Sequence, residues 1–305
     1  QIHVPVMAEE AISLLQIRPD GVYVDATAGA GGHSERIAGL LAGGRLIALD
    51  RDPGAVALSR QRLSGFPWVK VIKANYSELQ AVLAGLDITS VDGVLLDAGV
   101  SSMQIDNPSR GFSYKHDGSL DMRMDKRIQR TAADWLRELS TDELAAVLHD
   151  LADEPDAERI ARQIVEHRTG EPISRTGQLV QLIFKAKRLT RRQWRQRAAE
   201  DQHELHPAAR VFQALRILVN DELSSLRHLL RIAPSCLKPG GRIGIISFQS
   251  GEDRLVARAF REGLQSGQYQ SIAEEPTRPD HQEKHDNPRS ASAMLRWAQA
   301  PHVRS

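Results

Sequence analysis

The sequence predicts an α/β protein built on a doubly wound, parallel sheet and interrupted by an all-helical insertion. Three observations lead there. Short apolar runs alternate with stretches of helical pattern in the first third of the chain, a glycine-rich turn follows the first such run, and strand patterning disappears from the middle and returns near the end. Strands that alternate with helices form βαβ units, and their residues are apolar on both faces because helices cover the sheet from both sides.

The strand candidates are VYVDA (22–26), RLIALD (45–50), VKVIKA (69–74) and VDGVLLD (91–97). Between residues 107 and 207 no run has strong strand character. There, TAADWLRELSTDELAAVLHDL and DAERIARQIVEHR repeat apolar residues at helical spacing behind polar caps. A long helical pattern then runs from 208 to about 237, followed by a KPGG turn, the strand GRIGIISF and a helix over 252–264. Two further strand candidates, QYQSIAEE and SAMLRWAQA, flank a loop rich in Pro, His and charge at 276–289. The expected division is therefore sheet domain 1–106, helical insertion 107–207 and the rest of the sheet domain 208–305.

Composition narrows the function classes. Hydrophobic residues make up 41% and charged residues 26% of the 305, ordinary for a globular protein, and no apolar stretch approaches the ~18 residues of a membrane span. No membrane insertion is expected. The single cysteine, Cys236, excludes an internal disulfide framework and a cysteine zinc site, which fits a reducing compartment and a cytoplasmic location. The start at Gln1 carries no targeting information. HELH (203–206) lacks the H-E-x-x-H spacing, and His281 and His285 sit in a proline-containing loop, so no metal is expected. Net charge is only +1, yet KAKRLTRRQWRQR (185–197) gathers seven cations and Trp194 without an acid. It reads either as a solvated helix face or as a phosphate-contacting patch, with Arg191 and Arg192 on the phosphates and Trp194 stacking on an unpaired base.

The strand ends carry the chemistry. DATAGAGGHS (25–34) joins the first strand to the first helix, where Gly29, Gly31 and Gly32 let backbone pass beneath a ligand and the helix N-terminus offers free N–H groups. Ser34 stands where a dinucleotide fingerprint needs its third glycine, which disfavours NAD. Asp50, closing the second strand, is placed to accept both hydroxyls of a ribose. Tyr76 follows the third strand on the side of an adenine ring, and Asp97 ends the fourth at the edge where such sheets bind ligands. Together these residues point to a nucleoside cofactor.

At this point the chain resembles a known family. HVPVMAEE, DATAGAGGHS, ALDRDP, LLDAGVSSMQID, RGFSY, DGSLDMRMD, FQALRILVNDEL, ISFQSGEDR and NPRSASAMLR, in this order, are similar to the MraW family of ribosomal RNA small-subunit methyltransferases. The resemblance covers residues 3 to 296 and is weakest inside the insertion. It implies a class I methyltransferase, Rossmann-like, using S-adenosylmethionine to methylate N4 of a decoding-centre cytidine in 16S ribosomal RNA. It also implies cofactor contacts from Gly31, Gly32, His33, Asp50, Tyr76, Asp97 and Gln104; His33 and Gln104 come from the resemblance alone. The sequence departs from the family pattern at Gln249, where a His is usual, at Gly251, where a Leu is usual, and at Ala98 in place of Leu. Gln cannot titrate near neutral pH, which argues against a catalytic proton role at position 249.

The exocyclic amine of cytosine is a poor nucleophile because its lone pair is delocalised into the ring. Acceptors that hold its protons turn that lone pair toward a methyl donor. The expected acceptor set is Asp97 with Ser101 or Ser102 and nearby carbonyls; the competing reading gives Asp97 to the cofactor and the serines to a turn. For RNA, Arg110, Phe112, Tyr114 and Arg123 suit an unstacked base and its phosphates, and Arg289 adds a cation. Gln213, Arg216 and Asn220 form one polar stripe on an otherwise apolar helix, read as lining the site's mouth. The expected partner is 16S ribosomal RNA or the small ribosomal subunit; the oligomeric state stays open, a homodimer included. Two other readings remain: an amino-methyltransferase of another nucleic-acid base, and a non-catalytic RNA-binding or assembly factor that keeps the cofactor fold.

Overall fold

The computed structural model describes residues 5–201 and 204–303, without the side chains of residues 102 and 103. The chain separates into two compact units, one formed by Gln1–Ser101 with Leu223–Ser305 and the other by Ser102–Glu222.

The first unit holds the sheet. Its elements are α1 (Ala8–Leu15), β1 (Val22–Asp25), α2 (Gly32–Leu40), β2 (Arg45–Asp50), α3 (Pro53–Arg62), β3 (Val69–Lys73), α4 (Leu79–Ala84) and β4 (Val91–Asp97) before the insertion. The insertion carries α5 (Ser102–Asp106), α6 (Ala132–Glu138), α7 (Thr141–Ala152), α8 (Ala157–Arg168), α9 (Thr176–Ala186), α10 (Arg191–Glu200) and α11 (Ala209–Asn220). After it come α12 (Glu222–Cys236), β5 (Leu237–Ser247), α13 (Ser250–Gln265), β6 (Ser271–Ile272), α14 (His281–Asp286) and β7 (Met294–Gln299). The strand order is β3-β2-β1-β4-β5-β7-β6, and only β7 runs against its neighbours.

Alternation along the strands assigns the core. Val24, Ile47, Leu49, Val94, Leu96, Ile243 and Ile245 face one way and pack on Leu226, Leu229 and Ala233 of α12 and on Val256 and Phe260 of α13. Tyr23, Leu46, Leu95 and Ile246 face the other way, onto Ala11 and Leu15 of α1 and Ile37 of α2. Both faces are dry, so the strands read as continuous apolar runs. The ladder sets Asp25 beside Ala48 and Leu95, and Asp97 beside Ile246. The aspartates that end β1, β2 and β4 thus share the carboxyl edge of the sheet.

The second unit is helical, as expected, but its limits differ from the expected 107–207. The single pattern over 208–237 breaks at Asp221, whose φ of 47° ends α11 in a left-handed cap. The α11 helix packs on α6 and α7, so the boundary falls after Glu222. The pattern over 131–151 also splits, because Thr131 and Ser140 each close a capping box and start separate helices. In the first unit the KPGG turn is a bulge within β5, where pairing jumps from Leu237 to Arg242. QYQSIAEE forms only the two-residue β6, and the 276–289 loop contains α14. Among the described residues, no helix is long and apolar enough to cross a membrane.

Candidate active site

The turn after β1 is held from below by residues far along the chain. Gly29 donates its N–H to Asp50 Oδ2 at 2.8 Å, and its carbonyl accepts from Ser59 Oγ at 2.8 Å. Gly31, the N-cap of α2, has φ 84°, a left-handed geometry in which a Cβ would also press on Arg62 and Ser59. A side chain at Gly29 would meet nothing within 4 Å, so the turn borders open space. The contact at Gly32 is with Pro5, not a gap beneath a ligand.

Asp50 is half-buried, and each of its oxygens takes one backbone amide: Oδ2 from Gly29 and Oδ1 from Asp52 at 2.8 Å. An ionised carboxylate accepts about four hydrogen bonds, so two remain for hydroxyl donors. Burial pushes its carboxyl up to about 6, against the pull of the two amides. Tyr76 opens a 3-10 turn capped by Asn75 and is packed in the core beside Ala74 and Leu79.

Asp97 closes β4 with its amide donating to Thr27 Oγ1 at 2.7 Å. Its Oδ1 accepts from Gly99 N–H at 2.9 Å, and its Oδ2 lies 4.0 Å from His33 Nδ1. Burial raises the Asp97 carboxyl; His33 and the Gly99 amide partly offset this, and buried Asp25 adds to it. A Cβ on Gly99 would come within 2.9 Å of both Asp97 Oδ1 and Phe248, so only glycine lets the chain turn here. His33 is buried, and because Val6 O can only accept, its Nε2 carries the proton in their 2.9 Å bond. Asp25, fully buried, accepts from Ser34 Oγ at 2.6 Å. Ser101 is half-buried at the end of the first unit.

Within the first unit the structure therefore brings together Gly31, Gly32, His33, Asp50 and Asp97, with Tyr76 beside β3. Gln104 is buried on α5 of the second unit. The Ser102 side chain lies outside the described residues, as do His3 and Val4 of the first motif and His203 of HELH. Sequence reasoning missed Asp25, Thr27, Ser59, Val6 and Phe248. Asp25, Thr27, Val6 and Phe248 lay inside quoted motifs and could have been singled out, whereas Ser59 gave no local signal.

Several substrate candidates have other partners in the second unit. Phe112 is buried beneath the Arg110 guanidinium, and Arg110 donates to Arg123 O at 2.9 Å. Arg123 forms a fork with Asp121 at 2.7 and 2.8 Å. Tyr114 stacks on His206 at 4.4 Å, and Trp194 meets the same imidazole edge-on at 4.6 Å. In the expected polar stripe, buried Asn220 bridges Met124 N and Met122 O, and Arg216 forks onto Glu222 at 3.0 and 2.9 Å. A loop-rich segment such as 107–130 needs side chains to satisfy its backbone, and Arg110, Arg123 and Asn220 each do so here. Arg191, Arg192 and Arg289 are exposed. In the ISFQSGEDR motif Glu252 accepts from Phe248 N, and Asp253 forks onto Arg296 at 2.7 and 3.0 Å.

The family model of the MraW methylase family matches residues 1–301. A ribosomal RNA small subunit methyltransferase H of Acidobacterium capsulatum is 42% identical, with 97% of this chain and 98% of that protein covered. The protein of that name from Thioalkalivibrio sulfidiphilus is 44% identical over 97% of this chain and 96% of its own. Among solved structures, an rRNA methylase from Streptococcus thermophilus aligns over 99% of both chains at TM-score 0.43 and 12% identity. A doubly wound sheet with its seventh strand reversed, a glycine turn tied to a strand-end acid, and a match along nearly the whole length lead to one assignment: the chain belongs to the MraW methylase family and is a class I methyltransferase whose cofactor is S-adenosylmethionine.

Proposed function

We propose that the chain methylates the exocyclic N4 amine of a decoding-centre cytidine in 16S ribosomal RNA, acting in the cytoplasm on the RNA or on the small subunit. The observation that carries this reading is the end-to-end match, at 42 and 44% identity, to relatives named for methylation of small-subunit RNA. The geometry of Asp97 supplies a chemistry that suits an amine.

When bound, S-adenosylmethionine supplies an electrophilic methyl group. Asp50 would hold its ribose and the turn at Gly29 and Gly31 would pass beneath it, with Tyr76 and the buried His33 completing the contacts. The remaining work falls to Asp97. Oδ1 is fixed by the Gly99 amide, so Oδ2 is the oxygen left to accept an N–H of the target amine. Ser101, four residues on, is the second acceptor. Holding both amine protons frees the nitrogen lone pair, and positioning contributes most of the rate. After transfer the amine is acidic, and Asp97 Oδ2 takes the proton; a carboxylate raised by burial is a better base for this step. On the RNA side, Arg289 and Arg191 with Arg192 offer exposed cations.

The test uses labelled S-adenosylmethionine and small subunits lacking the modification, followed by nucleoside digestion. Label in N4-methylcytidine is the expected result; label in another base overturns the cytosine reading, and cofactor binding without transfer supports a non-catalytic assembly factor. Asp97→Asn is expected to lower kcat about 10²–10³-fold, the scale of losing one aimed polar group. If turnover at saturating cofactor stays intact while only cofactor affinity falls, Asp97 serves the cofactor alone.

A further inference from the structure

The basic helix α10 retains an electrostatic arrangement that its own fold does not balance. Arg191, Arg192, Arg195 and Arg197 are exposed, and among the described residues none meets their guanidinium groups in a hydrogen bond or ion pair. Elsewhere in the same unit Arg123, Arg137, Arg159, Arg175 and Arg216 are each paired with an acid. Arg191 and Arg195 lie four apart and Arg192 and Arg195 three apart, spacings at which like charges weaken a helix. Two of the four also stand in the first turn, against the helix dipole. No acid precedes Glu200, the last residue of the helix.

The helix is held by other means. Thr190 closes a capping box with Gln193, accepting from its amide at 3.2 Å while Gln193 Oε1 accepts from Thr190 N at 2.8 Å. Trp194 turns inward onto His206, which Phe184 also meets edge-on at 5.6 Å and Tyr114 covers by stacking. His206 Nδ1 accepts from Ala208 N at 3.1 Å, so this ring is fixed as well as covered. A repulsive row of guanidinium groups on an anchored, preordered helix lacks only an anion. Guanidinium forks match phosphate oxygens, and an RNA strand supplies these in series.

We propose that α10 is a sequence-blind clamp for the sugar-phosphate backbone of the RNA substrate. The proposal rests on the RNA reading given above and adds to it how the strand is held. Trp194 is the only aromatic of α10 and faces the His206 cluster, so no ring of α10 is left to stack on a base, and phosphate contacts carry no sequence information.

The test compares the full chain with R191Q/R192Q/R195Q/R197Q and with the four Lys replacements, measuring affinity for a 16S RNA fragment by fluorescence anisotropy over 50–300 mM salt. Each phosphate contact contributes about 0.7–0.9 to the slope of log affinity against log salt, so the Gln variant should lose about 3 from it and bind at least tenfold more weakly at ~150 mM salt. The Lys variant should keep the slope, and all three should bind S-adenosylmethionine within about twofold. An unchanged slope in the Gln variant overturns the clamp, as does a Lys variant that loses the slope with cofactor binding intact. Binding to anionic phospholipid vesicles that depends on the four arginines, with the RNA slope unchanged, also overturns it. The isotherm needs no methyl transfer, so the clamp and the N4-cytosine reaction fail separately.

Discussion

Asp50 carries the clearest residue-level prediction. Its carboxyl is raised from 3.8 to about 6 because burial disfavours the charged form. An unfolded chain loses this proton above 3.8 while the folded one keeps it until about 6, so the stability contributed by the group declines as pH rises through that window. Ribose hydroxyls favour the carboxylate, which runs the other way for binding. Cofactor affinity should therefore rise with pH up to about 6 and level off above it, as titration calorimetry would read. Asp50→Asn keeps one acceptor oxygen and turns an NH2 toward an amide donor. Each lost hydrogen bond to a charged group costs about 1.5–3 kcal/mol, so affinity should fall roughly 10–100-fold and the pH dependence should disappear. Affinity unchanged in Asp50→Asn would remove this residue from the ribose site. Asp50 was legible in the sequence because strand ends show locally. Its bond to Gly29 spans 21 residues, and the Ser59 hydroxyl that holds the Gly29 carbonyl lies 30 residues from it, so both pairings became visible only in the fold.

Among the elements, α10 and its anchor are held by ring packing. His206 is depressed from 6.5 to about 4 by burial, then by Arg191 and Lys115. Protons that the unfolded chain takes up below 6.5 are refused by the folded ring until about 4, so its contribution is present above 6.5 and is lost as pH falls through this window. The urea midpoint of the chain should drop between pH 7 and pH 5, and His206→Gln, which can still accept from Ala208 N but does not titrate, should show a smaller drop. An equal drop in both proteins would exclude His206 as the cause. Sequence periodicity located these helices, yet it ran α6 into α7 and α11 into α12. Apolar spacing continues through the Ser140 cap and the Asp221 cap, whereas the backbone does not.

At the scale of the whole chain, the sheet is assembled from both sides of the insertion. β4 pairs with β1 from the first segment and with β5 from the second. Truncation after Asp221 would leave β4 an edge strand and uncover Val94, Leu95 and Leu96, all fully buried. Such a chain, residues 1–221, should express as aggregate with no cooperative unfolding transition, while the full chain unfolds cooperatively by circular dichroism. A soluble, cooperative 1–221 would show that the first four strands suffice.

By itself the sequence determined the α/β class, the helical middle, and the strand-end acids at positions 50 and 97, because apolar periodicity, the glycine turn and the strand termini are local patterns. It also determined the family, through motifs kept in order along the chain. Tertiary structure alone decided which polar side chains meet distant parts of the chain. Met7 N meets Glu283 across 276 residues, and Asn220 meets Met124 across 96. Arg123 and Asn220 look like ligand residues in one dimension because backbone demands the same donors and acceptors that a substrate does, and only the folded chain shows the backbone groups each one meets.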